Sequence, residues 1–574
     1  MMPKRNLKVD SAGEAFLELL ADRGVDYLFG NAGTDFASII EGLAKAAAGE
    51  ARAPQPIIAP HENLAVAMAH GAYLATGRPQ AVMVHVNVGT ANAICGLFNA
   101  AREKIPLVLA AGRTPISEDG ARGARSVYIH WGQEMFDQAS MVRDAVKWDY
   151  ELRNPTQVEA VVDRALSIAM SEPRGPVYVS LPREVLVDGS GAFAFNSPSL
   201  RQPASAAAPD AAATRLAAQW IAVARRPLVV TSSFGCNADD VPALARLAQR
   251  FALPVVGHQA RYTFLPTSHP MHMGFDPKPL LGEADLIVVL DSDVPWIPEL
   301  HDVNPEARVI HIGADPLFSG YPMRSFRADV VLAASSGATL RALARALAAA
   351  ARGAKAKVRI EARRKRLVRW RGMRDVGREK TLAAQAGEAA PTPAWVAACL
   401  NKVMRRDDVL VTEMPFALDF MDLEKPGTYF GSSSAGGLGW GLGAALGVKL
   451  GRPERRVVGV VGDGSYMFGN PTPAHFVSQA HDLPTLTIIL NNRMWAAVRS
   501  ATLNIYPDGA AAKSNRAPLT YLEPAPEYQL IVEASGGYGE KVERAQDLPA
   551  AIARALDVVD NEGRQAVLNV LTHQ

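Results

Sequence analysis

Cysteine is nearly absent: there are three in 574 residues, Cys95, Cys236 and Cys399, far apart in the chain. So sparse and odd a set excludes a disulfide framework and fits a reducing, cytoplasmic compartment. None stands in metal-ligand spacing, so each is expected to be a small buried hydrophobe. Net charge is lacking too. The 60 Lys and Arg against 58 Asp and Glu leave +2, too weak a field to suggest nucleic acid as a partner. No apolar run is long enough to cross a bilayer, so no membrane is expected either. The opening MMPKRNLKVDSAGEAFLELL has no signal-peptide core and reads as a polar start before an amphipathic helix. Short-period repeats are missing, which excludes a solenoid.

The chain is too long for one hydrophobic core, and its 48% apolar and 21% charged residues are ordinary for a globular protein. Short apolar runs alternate with helical patterns. PIIAP, QAVMVHV, IPLVLAAG and GPVYVSLP read as strands of a first set, with segments such as NLAVAMAHGAYLATG as helices between them. A Ser/Ala/Pro-rich linker follows near Ser190–Ala213. RPLVVTSS, LPVVGH, ADLIVVLDSD and ARVIHIGADP form a second set, and DDVLVTE, ERRVVGVVGDG, PTLTIILNN and QAVLNVLT a third. The expectation is an α/β protein of three doubly wound parallel-sheet domains, at 1–189, 205–350 and 391–574. The basic stretch 351–390 between the last two reads as a solvated helical linker, not a nucleic-acid patch.

The stretch VVGVVGDGSYMFGNPTPAHFVSQAHDLPTLTIILNNRMW, Val457–Trp495, ends one apolar strand in Gly-Asp-Gly-Ser and the next in Asn-Asn. Ligands of open α/β sheets bind beyond the carboxyl ends of strands. Glycines there let backbone amides approach an anion. Asp463 offers a hard oxygen suited to Mg²⁺, and Asn492 a carbonyl oxygen one crossover away. Mg²⁺ takes one or two such side chains and completes its shell with phosphate oxygens and water. Gly-Asp-Gly alone is a common tight turn; its pairing with Asn-Asn across residues 465–490 is more specific.

At this point the sequence resembles the thiamine diphosphate enzymes of the decarboxylase and acetolactate synthase group. The resemblance implies pyrimidine-binding, central and diphosphate-binding domains in that order. It implies Asp463, the Asn492 side chain and the Met494 carbonyl as metal ligands, with Gly464, Ser465 and Asn492 at the cofactor. In APHENLAVAMAHGAYLATGRPQ, Ala59–Gln80, Glu62 opens a helix, where a carboxylate suits the helix dipole. By resemblance Glu62 hydrogen-bonds the cofactor's aminopyrimidine and drives the tautomer that removes the C2 proton. In SSSAGGLGWGLGAALG, Ser432–Gly447, Gly437 and Leu438 match the cofactor-contacting segment, with Leu438 as the apolar wedge beneath the bent cofactor. A homodimer or homotetramer is implied, with active sites at the dimer interface.

Several segments are most similar to the benzoylformate decarboxylase branch. VDYLFGNAGTDF places Thr34 where that branch has a catalytic serine, and VHVNVGTANAICGLFNA places His85 at an active-site histidine. The branch's second histidine has no clear counterpart in DSDVPWIPELHDVNP: Pro298 falls near its position and His301 slightly beyond. His130, just before GQEMFDQA, is a further candidate. Small residues Ala496, Ala497, Val498 and Ala501 leave room for an aryl or branched substrate, while Trp495 adds bulk. TSSFGCNADD lacks the glycine cluster of a flavin diphosphate site, so FAD is not expected. The implied reaction is non-oxidative decarboxylation of a 2-oxo acid to an aldehyde. The alternatives are carboligation of the acetolactate synthase type and a non-catalytic cofactor-binding relative.

Overall fold

The computed structural model describes residues 5–6, 9–189, 193–385, 388–413 and 415–572. Three parallel sheets carry the fold. The first holds β1 (Tyr27–Gly30), β2 (Gln55–Ile58), β3 (Gln80–Val84), β4 (Leu107–Arg113), β5 (Asp149–Glu151) and β6 (Val177–Pro182), in the order β2-β1-β3-β4-β6-β5. The second holds β7 (Pro227–Thr231), β8 (Val255–Gly257), β9 (Leu286–Leu290), β10 (Arg308–Gly313) and β11 (Val330–Ala333), in the order β8-β7-β9-β10-β11. The third holds β12 (Val409–Glu413), β13 (Tyr429–Gly431), β14 (Val457–Gly462), β15 (Leu486–Asn491), β16 (Tyr538–Val542) and β17 (Ala566–Leu571), in the order β13-β12-β14-β15-β17-β16. The first and third sheets therefore have one topology. Inner strands such as β3, β9 and β15 are buried along their whole length, as helices on both faces require.

Four helices matter for the site: α1 (Glu62–Thr76), α2 (Val86–Arg102), α3 (Ala354–Ala384) and α4 (Trp440–Gly451). Helices α1 and α4 follow the second strand of their sheets and pack side by side. Leu64 and Ala67 meet Gly443, Met68 and Ala72 meet Gly447, and Ala75 meets Gly451, so the two helices run parallel. A Cβ on Gly447 would stand 2.0 Å from the Met68 carbonyl oxygen, and one on Gly71 would stand 2.2 Å from that of Ala444. Glycine alone permits this backbone approach. One apolar cluster, including Phe29, Leu64, Met68, Leu442, Val461 and Ile489, spans the first and third sheets. The central sheet has a core of its own.

Five strands of these three sheets lie outside the sequence expectation, β1, β5, β11, β13 and β16, as does a short antiparallel pair, Arg5–Asn6 with Ala194–Phe195, whose second strand falls in the expected linker. Of the five, all but β1 are sheet edges: β5 and β16 are polar, and β11 and β13 are apolar but only four and three residues long, too short for a clear pattern. Of the linker read at Ser190–Ala213, residues 190–192 lie outside the described residues, and 196–210 form no regular element. The basic stretch is the single helix α3. It is largely solvated, with Arg363 as an exception: buried, it donates to the carbonyls of Ile221, Ala224 and Phe251 where two helices end. The cysteine expectation holds for Cys399 alone. Cys95 and Cys236 are exposed, the latter on the wall of an open cavity. Among the described residues no helix is long and apolar enough to cross a membrane.

Candidate active site

The carboxyl ends of β1, β2 and β3 gather the polar side chains of the first sheet. Glu62, 5% exposed, is the first residue of α1. Its two carboxylate oxygens accept hydrogen bonds from Asn31 Nδ2 (2.8 Å) and Asn92 Nδ2 (3.1 Å), from the end of β1 and the first turns of α2. Two neutral donors fix the carboxylate and leave its charge unpaired.

His85 directly follows β3, and its Nδ1 lies 2.5 Å from Asp35 Oδ1. The Asp35 hydrogen bond and charge raise the imidazole pKa against the opposing pull of burial. The other ring nitrogen, Nε2, faces the Gln133 amide at 3.1 Å. An amide can present either a donor or an acceptor, so Gln133 suits both protonation states. Val86, directly after His85, has φ of +32°, a strained value for a β-branched residue, which fixes the turn that aims the histidine. His130 accepts from the Ser126 N–H at Nδ1 (3.2 Å), which leaves Nε2 to face Thr34 Oγ1 at 3.4 Å. Burial, then the Arg183 and Arg125 charges, lower its pKa. Two histidines thus converge on the Thr34–Asp35 turn, one biased toward its acid form and the other toward its neutral form. This is the pattern of an acid and a base.

The third sheet supplies a different set. Asp463 follows β14 directly, and the adjacent β15 leads into Asn492, so the two strand ends meet. Asp463 Oδ1 accepts from the Gly464 N–H at 2.9 Å, whereas the buried Oδ2 has no partner. Burial raises the Asp463 pKa against the help of the nearby Gly464, Arg493 and Met494 amides. A buried carboxylate oxygen left unsatisfied is short of positive charge, and a hard cation fits it. Asn492 Oδ1 turns back to the Met494 N–H at 3.1 Å, which orders the chain after β15. Among the described residues no cluster of three or more His, Cys, Asp or Glu could hold a metal, but this donor set needs only one carboxylate. A Cβ on Gly464 would lie 2.1 Å from the Trp495 ring, so this glycine also makes room for the indole. Ala497, Val498 and Ala501 are exposed on the following helix, Ala496–Ile505.

The two sets adjoin through the segment before α4. Asn63, next to Glu62, donates to the Leu438 carbonyl at 3.4 Å. Gly437 has both main-chain groups engaged by Asn99. Ser465 is buried and points its hydroxyl at the Glu413 carbonyl, 3.5 Å away. His301 stays in the central domain, edge-on to His258 with ring centroids 5.4 Å apart. The TSSFGCNADD turn opens on a cavity of about 480 Å³ beside the half-buried Asp291, whose pKa desolvation pushes up to about 6. Sequence reading missed Asn31, Asp35, Asn92, Asn99 and Glu413. Asn31 and Asp35 lay inside the motif that singles out Thr34, and Asn92 and Asn99 inside the one that singles out His85, but only tertiary pairing shows what they hold.

Comparison with known proteins gives the family and the fold. Three models of the thiamine pyrophosphate enzyme match: the N-terminal TPP binding domain over residues 10–141, the central domain over 214–343 and the C-terminal TPP binding domain over 412–570. The Escherichia coli acetolactate synthase isozyme 3 large subunit is 25% identical, covering 96% of this chain and 93% of its own. Benzoylformate decarboxylase of Pseudomonas aeruginosa is 27% identical over 84% of this chain and 86% of its own. Among solved structures, the thiamine diphosphate-dependent 4-hydroxybenzoylformate decarboxylase of Rhodococcus jostii RHA1 shares the fold. Its TM-score is 0.76 at 23% identity, covering 98% of this chain and 99% of its own.

Proposed function

The chain belongs to the thiamine pyrophosphate enzyme family, and we propose that it decarboxylates a 2-oxo acid non-oxidatively to an aldehyde. When bound, thiamine diphosphate supplies the electron sink for the loss of CO₂. Asp463, the Asn492 side chain and the Met494 carbonyl would hold Mg²⁺ and through it the diphosphate, with Gly464 and Ser465 beside them. Glu62, aimed by Asn31 and Asn92, is the carboxylate for the aminopyrimidine. His85, with Asp35 behind it, donates a proton; His130, whose pKa burial lowers and whose Nε2 faces Thr34, accepts one. The observation that carries this reading is the His85–Asp35 pair on the same strand-end face as the buried Glu62.

The small exposed side chains after Trp495 suit an aryl or branched substrate. The acetolactate synthase relative, matched over almost the whole chain, supports a second reading in which a carbonyl acceptor replaces the proton and a 2-hydroxy ketone forms. A cytoplasmic enzyme without flavin, assembled as a homodimer or homotetramer, completes the proposal. The test is product analysis with thiamine diphosphate and Mg²⁺, using benzoylformate, a branched 2-oxo acid and pyruvate, each with and without an acceptor aldehyde. Aldehyde from benzoylformate supports the first reading, and acetolactate from pyruvate the second. No CO₂ from any of them refutes both.

A further inference from the structure

Glu413 ends β12 and is 3% exposed, yet no step of the proposed reaction uses it. Its Oε1 accepts the Gly439 N–H at 2.6 Å and its Oε2 the Gly441 N–H at 2.5 Å. These amides open α4, a helix with no side-chain cap of its own. Such amides lack partners within the helix, so the carboxylate satisfies them from the neighbouring strand. Asn99 grips the same segment from the other domain. It is 2% exposed, donates from Nδ2 to the Gly437 carbonyl (2.7 Å) and accepts the Gly437 N–H at Oδ1 (3.1 Å). Leu438 lies between the two grips. The chemistry of each grip matches its target: an acceptor-only carboxylate meets two donors, and a donor–acceptor amide meets one of each.

We propose that Glu413 and Asn99 are positioning residues that clamp residues 437–441 from two domains and thereby fix Leu438 in the cofactor site. This rests on the family reading of Leu438 as the wedge beneath the cofactor. The first sheet contains a parallel. Asn31, at the end of its first strand, holds Glu62 at the start of α1; Glu413, at the end of the first strand of the third sheet, holds the start of α4. In both cases the strand end fixes the first turn of the helix that reaches the cofactor. Because Asn99 comes from α2, the clamp also ties the position of Leu438 to the helix that carries Asn92, a partner of Glu62.

Two near-isosteric changes test the clamp. Glu413→Gln turns a donor toward an N–H group, and Asn99→Asp turns an acceptor toward the Gly437 carbonyl. Thiamine diphosphate with Mg²⁺ is titrated calorimetrically into the cofactor-free full chain. Each variant is expected to raise the dissociation constant about tenfold. At saturating cofactor, kcat counted per calorimetrically titrated cofactor site falls about tenfold with KM for the 2-oxo acid unchanged; an unfolded fraction lowers the number of sites and not the turnover of each. The double variant costs less than the product of the two, because both act on one segment. Wild-type protein that binds the cofactor, with both variants binding and turning over equally well, overturns the clamp and leaves the family reading standing. Wild-type protein that binds no thiamine diphosphate overturns both. Should Glu413→Gln fail to fold, Asn99→Asp on the other domain decides by the same titration.

Discussion

The first and third sheets have the same strand order, and they differ in the residues placed at each strand end. After the third strand stand His85 in one and Asp463 in the other. After the second strand come α1, opened by Glu62, and α4, preceded by Gly437 and Leu438. The first sheet thus collects titratable side chains, each backed by an amide or carboxylate: Glu62 by Asn31 and Asn92, His85 by Asp35. The third collects backbone amides and one carboxylate oxygen without a partner. A parallel sheet delivers its ligand to one edge whatever the chemistry. The short turn after each strand is the variable part, so in the proposed reaction one architecture serves as a proton-handling half and an anion- and cation-holding half.

That division is sharpest at Glu62 and Asp463. Glu62→Gln removes the acid–base group and keeps its shape, so kcat falls by about 10³-fold or more while thiamine diphosphate and Mg²⁺ still bind. Turnover assays beside calorimetric titration separate the two effects; full activity in this variant breaks the comparison. Asp463→Ala acts the other way. Mg²⁺-dependent cofactor affinity falls about a hundredfold, and turnover returns in part at high cofactor concentration. A variant with normal affinity but no turnover would place Asp463 in the proton chemistry instead.

Asp35→Asn gives the next effect, about tenfold to a hundredfold in kcat, through the histidine behind which it stands. It also has a pH signature. The Asp35 bond raises the His85 pKa. The stability this pair contributes is fully present below the ordinary imidazole value and is lost as pH rises through the raised one. The alkaline limb of kcat/KM should follow the same group and move to lower pH in the variant. An unmoved limb means that another group delivers the proton.

The buried parts of this design were legible in the sequence, and the pairings were not. Continuous apolar runs betray β3, β9, β14 and β15 because a strand covered on both faces must be apolar throughout. Gly-Asp-Gly and Asn-Asn were legible because two strand ends need particular residue types at a fixed separation. Asp35 and Asn31 are ordinary polar residues in a turn, and nothing local marks one as the partner of His85 and the other as that of Glu62. Glu413 was harder still, since a glutamate closing a strand normally faces water. The identity of the two topologies was hidden because their edge strands, β5 and β16, carry Asp149, Glu151, Glu540 and Lys541 in place of apolar side chains.

Those edges give the smallest prediction. Lys541 on β16 pairs with Glu527 at 3.1 Å and Glu543 at 3.3 Å, and both carboxylates are largely exposed. The hydrogen bond to Glu527, then that to Glu543, raises its pKa, but water and salt screen such pairs. Lys541→Ala should therefore change unfolding free energy by less than about 0.5 kcal/mol in urea, with no change in cofactor affinity. Its use lies elsewhere: a charged side chain on an edge strand discourages pairing with another chain. If the variant stays monodisperse and equally active, β16 is a plain sheet margin. If it loses cofactor affinity, the third sheet transmits strain from its far edge to Asp463, and the two halves are not as separable as their strand ends suggest.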